Sequence, residues 1–386
     1  MVADPIALTA VLVALVALSE WLDRRTPLRH LGAALLVIVL TAIVANAGII
    51  PTYGEDARVY GAVFDHVAPL GIFWLLLLVD LRSLRRAGGP TLVLFLIGSA
   101  GTVAGVLLGH AAVGGARAFG PLHAALAGMF TGTYTGGAVN FNAIALEYRV
   151  VENGSLYAGA AAVDNAMTTV WMAATVALPR LLAPLWPSRS ASGGLDADAH
   201  LPPGDEIETT SVFDMSVVIA LGVAAVATSD ALASGLRRLT GIDLPSVLVL
   251  TTLALVLAQL PVVQRLRGTR VLGLFAVYLF LAVIGALCDV EALVRIGGLA
   301  PALVGFVAIL IGVHGLLTFG AARALRIDAD VAAVASQANI GGGTSALALA
   351  RSLGRGDLEL PAILVGSLGN ALGNYLGFLV AFWLGA

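Results

Sequence analysis

The stretch TGTYTGGAVNFNAIA, residues 131–145, has apolar sequence on both sides, which places it inside a membrane. Its middle nevertheless carries two adjacent glycines, three threonines and two asparagines. A helix running unbroken through lipid has no need of such residues. Unwound backbone does need them, because an unpaired N–H or C=O in hydrocarbon costs several kcal/mol and survives only inside protein or along a wet cavity. Glycine permits the non-helical dihedrals, and Thr and Asn side chains can bond the freed peptide groups or a ligand. The stretch is therefore read as an interrupted helix, broken at Gly136-Gly137.

The surrounding composition supports a membrane location. Of 386 residues, 59% are hydrophobic and 12% charged, against roughly 25% charged in soluble domains; the mean hydropathy is +0.95. Apolar runs fall at 6–22, 31–50, 60–81, 90–115, 121–147, 156–178, 213–233, 244–260, 269–290, 299–320, 329–351 and 359–385, most of them near the ~20 residues that a spanning helix needs. The expectation is an all-α, multi-pass bundle of about 11–12 spans in the cell (inner) membrane. The N-terminal run lacks a basic leader and a small-residue cleavage site, so it is read as a retained first helix. A net charge of −3 points to no nucleic-acid partner, and the single Cys288 excludes a disulfide framework or thiolate metal cluster. All 21 basic residues are arginine.

The polar stretch 179–212, with five carboxylates from Asp196 to Glu208, is expected to be a flexible connector between repeats at 1–178 and 213–386. Three local matches support duplication. DLRSLRRAGG (80–89) agrees with DVEALVRIGG (289–298) at five of ten positions. The opening stretch aligns with ASQANIGGGTSALALA (335–350), setting Gly136-Gly137 over Gly341-Gly342, and VDNAM (163–167) aligns with LGNAL (368–372). Gly136 to Asn165 and Gly341 to Asn370 are both 29 residues. Interrupted segments at corresponding places in two halves point to a transporter site. Two further glycine patterns, Gly101/Gly105/Gly109 and Gly369/Gly373/Gly377, are spaced for close helix packing instead.

Most acidic residues of the apolar runs lie near an end, but Asp164 sits about 12 Å into its segment at the helical rise. An intramembrane carboxylate is a functional candidate by default. Thr168, Trp171 and Thr175 share its face at i+4, i+7 and i+11. The candidate site has Thr133, Thr135, Gly136, Gly137, Asn140 and Asn142 on one side. Asn339, Gly341, Gly342, Thr344 and Ser345 form the other, with Asn165, Thr168, Asn370 and Asn374 around them. Asp164 is the candidate ligand for a coupling Na⁺ or H⁺, with no other cofactor expected. His110 and His314 lack partners at metal spacing and are read as hydrogen-bonded packing residues.

GTYTGGAVNFNAIA, VDNAM followed by Trp171, and the late QANIGGGT resemble the integral-membrane family catalogued as domain of unknown function 819, over nearly the whole chain. That family is similar, at greater distance, to the cation/proton antiporter and anion transporter superfamily. The resemblance implies inverted repeats whose broken helices cross at the centre, and a core moving against a fixed, dimer-forming scaffold. It also implies an essential Asp on the helix after the first broken one, the place Asp164 occupies. The chain departs from the antiporter pattern in having Asp164-Asn165 rather than two carboxylates, and in lacking a buried lysine.

Twelve crossings would make the repeats parallel, whereas the arginines at 23–30, 82–86 and 264–270 favour inversion. The expected function is ion-coupled secondary transport of a small organic anion, by a homodimer that is not an enzyme. The alternative is a monovalent cation/proton antiporter; a non-transporting scaffold ranks below both.

Overall fold

The computed structural model describes residues 2, 4–30, 32–52, 58–182, 186, 210–241, 244–288 and 298–386. Most of the expected connector and the matched loop from Asp289 to 297 lie outside them. Among the described residues the regular structure is all helical, and each of the twelve apolar segments forms helix. In chain order these are α1 (Pro5–Arg25), α2 (Gly32–Asn46), α3 (Arg58–Leu76, with a π-turn at Val63–Val67), α4 (Gly89–Ala112), α5 (His123–Gly136), α6 (Ala138–Glu147) and α7 (Gly154–Leu182). They continue with α8 (Val212–Thr240), α9 (Ser246–Ala258), α10 (Thr269–Ala286), α11 (Ala300–Leu325), α12 (Ala329–Ile340), α13 (Gly342–Ser352) and α14 (Glu359–Trp383). Seven of them, namely α1, α3, α4, α8, α10, α11 and α14, are long and apolar enough to cross a membrane.

Local sequence sets the helix ends. Asp4 accepts the Ala7 amide at 2.9 Å ahead of Pro5 at the start of α1, and Ser211 accepts the Asp214 amide at 3.0 Å to begin α8. Gly241, at φ 72°, closes α8 in the left-handed conformation that glycine adopts without steric penalty. Inside the bundle, α1, α2, α3, α8, α9 and α10 pack chiefly with one another. The remaining helices, α4 to α7 and α11 to α14, form a second group.

The glycine stripe of α4 lies against α11. Gly101 meets His314, Gly105 meets Leu310, whose carbonyl oxygen would be 2.6 Å from an added methyl, and Gly109 meets Phe306. As the number rises on one helix it falls on the other, so these two helices run antiparallel. The same holds for α3 and α10, where Gly71 meets Ala276 and Gly273 meets Leu75.

The second stripe decides the shape of the interrupted segments. On α14, Gly369 abuts Thr135 and Gly136; Gly373 abuts Gly132 and Asn140; Gly377 abuts Gly128 and Ile144. Along that stripe α5 is read backwards and α6 forwards. The segment therefore folds back on itself as a helical hairpin, with its tip at Gly136-Gly137. A bond from Asn140 Nδ2 to the Gly132 carbonyl (3.3 Å) closes the hairpin across its tip. Gly137 has φ 101° and ψ 179°, a conformation open in practice to glycine alone.

The second interrupted segment behaves likewise. Gln337 Nε2 on α12 donates to Ser345 Oγ on α13 at 3.1 Å, and Gly342 turns the chain at φ 76°. At its base, Arg355 just beyond α13 reaches Asp328 (2.8 Å) and Asp330 (2.9 Å) at the start of α12, and also Asp357 (2.8 Å).

Hairpin 2 lies along the first half of α14, its base joined there by the Arg351–Glu359 pair and its tip by Gly343 against Ile363 and Gly366. Hairpin 1 lies along the second half, tip first. The hairpins thus approach from opposite ends of α14 and meet tip to tip, with the Gly136 carbonyl 3.7 Å from where a Gly342 methyl would stand. This corrects the expectation that the broken helices cross. The physical reason is packing: the glycine pair permits a reversal as readily as a kink, and the glycine stripe of α14 seats both arms of hairpin 1 side by side. Five helices (α7 to α11) lie between the hairpins; counted as crossings they are an odd number, the parity that the arginine placement favours.

Two outcomes follow for the measured protein. Gly136→Ala drives a methyl into the Gly369 carbonyl and lowers the melting temperature in detergent, at about 1–3 kcal/mol. Gly61→Ala, with open space around it, leaves the melting temperature unchanged. In sealed vesicles of a Cys288→Ala background, Glu152→Cys beside hairpin 1 and Ser352→Cys beside hairpin 2 react with an impermeant maleimide from opposite faces. Labelling of both from one face contradicts the opposed hairpins.

Candidate functional site

Where the tips meet, α7 supplies the carboxylate. Thr133 Oγ1 on α5 donates to Asp164 Oδ2 at 3.4 Å, and the Tyr134 hydroxyl reaches the Asp164 carbonyl oxygen at 3.4 Å. Asp164 Oδ1 is buried and accepts no hydrogen bond from the protein. A buried oxygen without a donor is unfavourable for an isolated carboxylate, and it is the arrangement a bound proton or cation would complete.

The face of α7 identified from helical spacing does turn toward the hairpins. Trp171 Nε1 donates to Ser336 Oγ on α12 at 3.0 Å, and Thr175 Oγ1 to Gln337 Oε1 at 3.3 Å. Ser336 leads into a network centred on His314 of α11, which is fully buried. Its Nδ1 lies 2.9 Å from the Gly98 carbonyl oxygen and 3.0 Å from Thr102 Oγ1; its Nε2 lies 2.8 Å from Ser336 Oγ. A carbonyl can only accept, so Nδ1 carries the hydrogen and Nε2 accepts from the Ser336 hydroxyl. Thr102 Oγ1 in turn donates to the Tyr134 carbonyl at 2.9 Å. One assignment of hydrogens satisfies every member, and it links hairpin 1, hairpin 2, α4, α7 and α11.

The other residues singled out in the sequence divide by environment. Gly136, Gly137, Gly341 and Gly342 form the two tips, with Asn370 Oδ1 4.0 Å from the position of a Gly137 methyl. Thr344 is exposed just beyond the second tip, and Ser345 Oγ donates to the Gly342 carbonyl at 3.0 Å.

Several of the remainder brace helices. Asn140 donates to the Gly132 and Gly369 carbonyls. Asn339 accepts from Ser99 at 2.8 Å and donates to the Phe95 carbonyl at 3.0 Å, tying α12 to α4. Asn374 donates to Thr251 on α9 at 2.9 Å. Asn142 accepts from the Tyr157 hydroxyl, and Thr135 bonds back to the Thr131 carbonyl. Asn165 is exposed and bonds back to the Ala161 carbonyl at 2.8 Å. Thr168, one turn beyond Asp164, is half-buried.

Sequence reasoning passed over Ser99, Thr102, Tyr134, Tyr157, Ser336 and Gln337. Tyr134 and the Ser336-Gln337 pair stood inside the quoted motifs and could have been flagged as polar groups beside a break. Ser99 and Thr102 sit in an ordinary apolar helix and gave no signal.

Hairpin 2 is held at its base by charge. The guanidinium of Arg355 donates to the Asp357 carboxylate and holds its pKa below the ordinary Asp range, against a smaller opposing effect of burial. A carboxylate depressed in the folded state contributes stability above its unfolded pKa. That contribution is lost as pH falls through the depressed value, so the base loosens only below about pH 4. Arg355→Gln frees Asp328, Asp330 and Asp357 to repel at neutral pH. Hydrogen exchange of the last turn of α13 is then faster than in the wild type at pH 7, and the difference shrinks in acid.

In comparison with known proteins, residues 10–386 match the family described as “Protein of unknown function (DUF819)”. The chain is 28% identical over 365 residues to the uncharacterized membrane protein YjcL of Bacillus subtilis (strain 168), an alignment covering 91% of this chain and 89% of that protein. With its apolar helices, the chain is a multi-pass integral membrane protein and belongs to the DUF819 family.

Proposed function

We propose that this protein is an ion-coupled secondary transporter of a small organic anion, built as two inverted repeats with its site between the hairpin tips. The observation that carries the reading is the tip-to-tip meeting of Gly136-Gly137 and Gly341-Gly342 beside a carboxylate with an unpartnered buried oxygen. A hairpin tip presents helix ends: α6 and α13 begin there, and their N-termini favour negative charge. The ends of α5 and α12 favour positive charge. Opposed tips thus offer an anion and a cation neighbouring places, as in broken-helix transporters generally. Asp164 takes the coupling Na⁺ or H⁺, with Thr133 beside it.

Antiparallel pairing of α4 with α11 and of α3 with α10 supports the inverted repeat. The separation of the helices into two packed groups supports a core that moves against a scaffold. A second reading, monovalent cation/proton exchange, draws on the Asp164 surroundings alone. Its polar partners are hydroxyls (Thr133, Tyr134), and an exchanger needs no more than such oxygens and a carboxylate that changes protonation.

The deciding experiment is flux in proteoliposomes, wild type beside Asp164→Asn. Gradient-driven uptake of a labelled carboxylate supports the first reading; acidification of the protein-containing vesicles on adding Na⁺ or K⁺ supports the second. Asp164→Asn reduces coupled flux to the level of empty vesicles while the melting temperature stays close to wild type. Undiminished coupled flux removes Asp164 from its role.

A further inference from the structure

The two hairpins are anchored by different chemistry at the same position. His123 opens α5 fourteen residues before Gly137, and Asp328 caps α12 fourteen residues before Gly342. Asp328 is held by Arg355, a guanidinium that stays charged at any physiological pH. His123 is held by another imidazole: its Nδ1 lies 3.0 Å from Nε2 of His110, in the last turn of α4. The ring centroids are 5.1 Å apart. With the nitrogens 3.0 Å apart, the rings point nearly head-on, the geometry of one N–H···N bond rather than of two nitrogens converging on a metal. Gly115 abuts the His110 ring, where a methyl would overlap it, so the ring is held in place. Solvent reaches His110 through a cavity of about 470 Å³ lined by His110, Val113, Gly114, Gly115 and Arg117.

We propose that the His110–His123 pair is a proton-operated catch that fastens hairpin 1 to the end of α4 and lets go when both rings are protonated. An imidazole–imidazole bond needs one hydrogen and one lone pair. It persists when the two rings share a single extra proton. A second added proton leaves two N–H groups facing each other and two positive charges in contact. Among the described elements packed here, the turn Gly115–Phe119 contributes Arg117, a cation that lines the same cavity as His110. α5 contributes His123 itself, and α11 presents the uncharged Phe306 and Gly305. No described carboxylate faces the pair to hold it closed in acid. Hairpin 2, fastened by Arg355, lacks this response between neutral and mildly acid pH. One hairpin is therefore released by protons from its own side of the membrane, independently of what the site transports.

The test is hydrogen exchange of the full chain in lipid nanodiscs at about pH 8 and about pH 5, the range over which histidine changes charge, corrected for intrinsic exchange rates. In the wild type, amides in the first two turns of α5 lose protection about tenfold or more on acidification, while those at the start of α12 do not change. In His110→Gln and in His123→Gln the acid-induced loss disappears, because only one titrating ring remains. Protection of α5 that is constant with pH in the wild type overturns the proposal. So does a loss that persists in both variants, or one matched by hairpin 2.

Discussion

Peptide groups cannot be left unpaired in hydrocarbon, and this structure is arranged around two places where a helix nonetheless stops at depth. Each stop is covered by protein. The Gly369, Gly373 and Gly377 stripe lets the backbones of α5 and α6 lie directly on α14, and Asn140 of α6 fills the angle by bonding the Gly132 carbonyl of α5 and the Gly369 carbonyl of α14. Such contact is the packing available in lipid, where burying apolar surface offers little driving force between helices. A larger residue along that stripe would lift the hairpin from its support and expose the polar turn.

Much of this was legible in the sequence because the signals were local. Adjacent glycines with Asn and Thr marked both breaks; glycines four apart marked both packing seams; Asp164 stood alone at depth. Equal spacing in the two halves linked the breaks to the helices that follow them. Whether the chain continues or reverses at a glycine pair is not local, however. The same residues serve a kink and a hairpin, and the choice depends on contacts with α14, which for hairpin 1 lie more than 200 residues away. The His314 network was hidden for a similar reason. Its members are single polar residues on five helices, none of which points to the others from its own segment, and only packing brings them within 3.0 Å of one another.

The two hairpins are alike in backbone and unlike in side chains. Where the helix after hairpin 1 carries Asp164, the matching position after hairpin 2 is Gly369; where hairpin 2 is fastened by Arg355, hairpin 1 is fastened by an imidazole pair. Two similar turns thus carry different fastenings, and the differing residues give each turn its own chemistry. His314, which has Gly98 and Gly101 as its neighbours across the α4–α11 crossing rather than a second histidine, ties the turns together without contributing a charge.

The order of the segments along the chain also has a consequence for biogenesis. α14 follows both hairpins, yet it carries the surface on which each is seated. During synthesis the two polar turns must wait, without this support, until α14 is inserted. Until then they have water, the translocon or one another for company, and the paired tips cannot be seated in part. A ribosome stalled, or a chain cut, before Gly366 would leave every other crossing in place and still present quality-control proteases with two exposed loops.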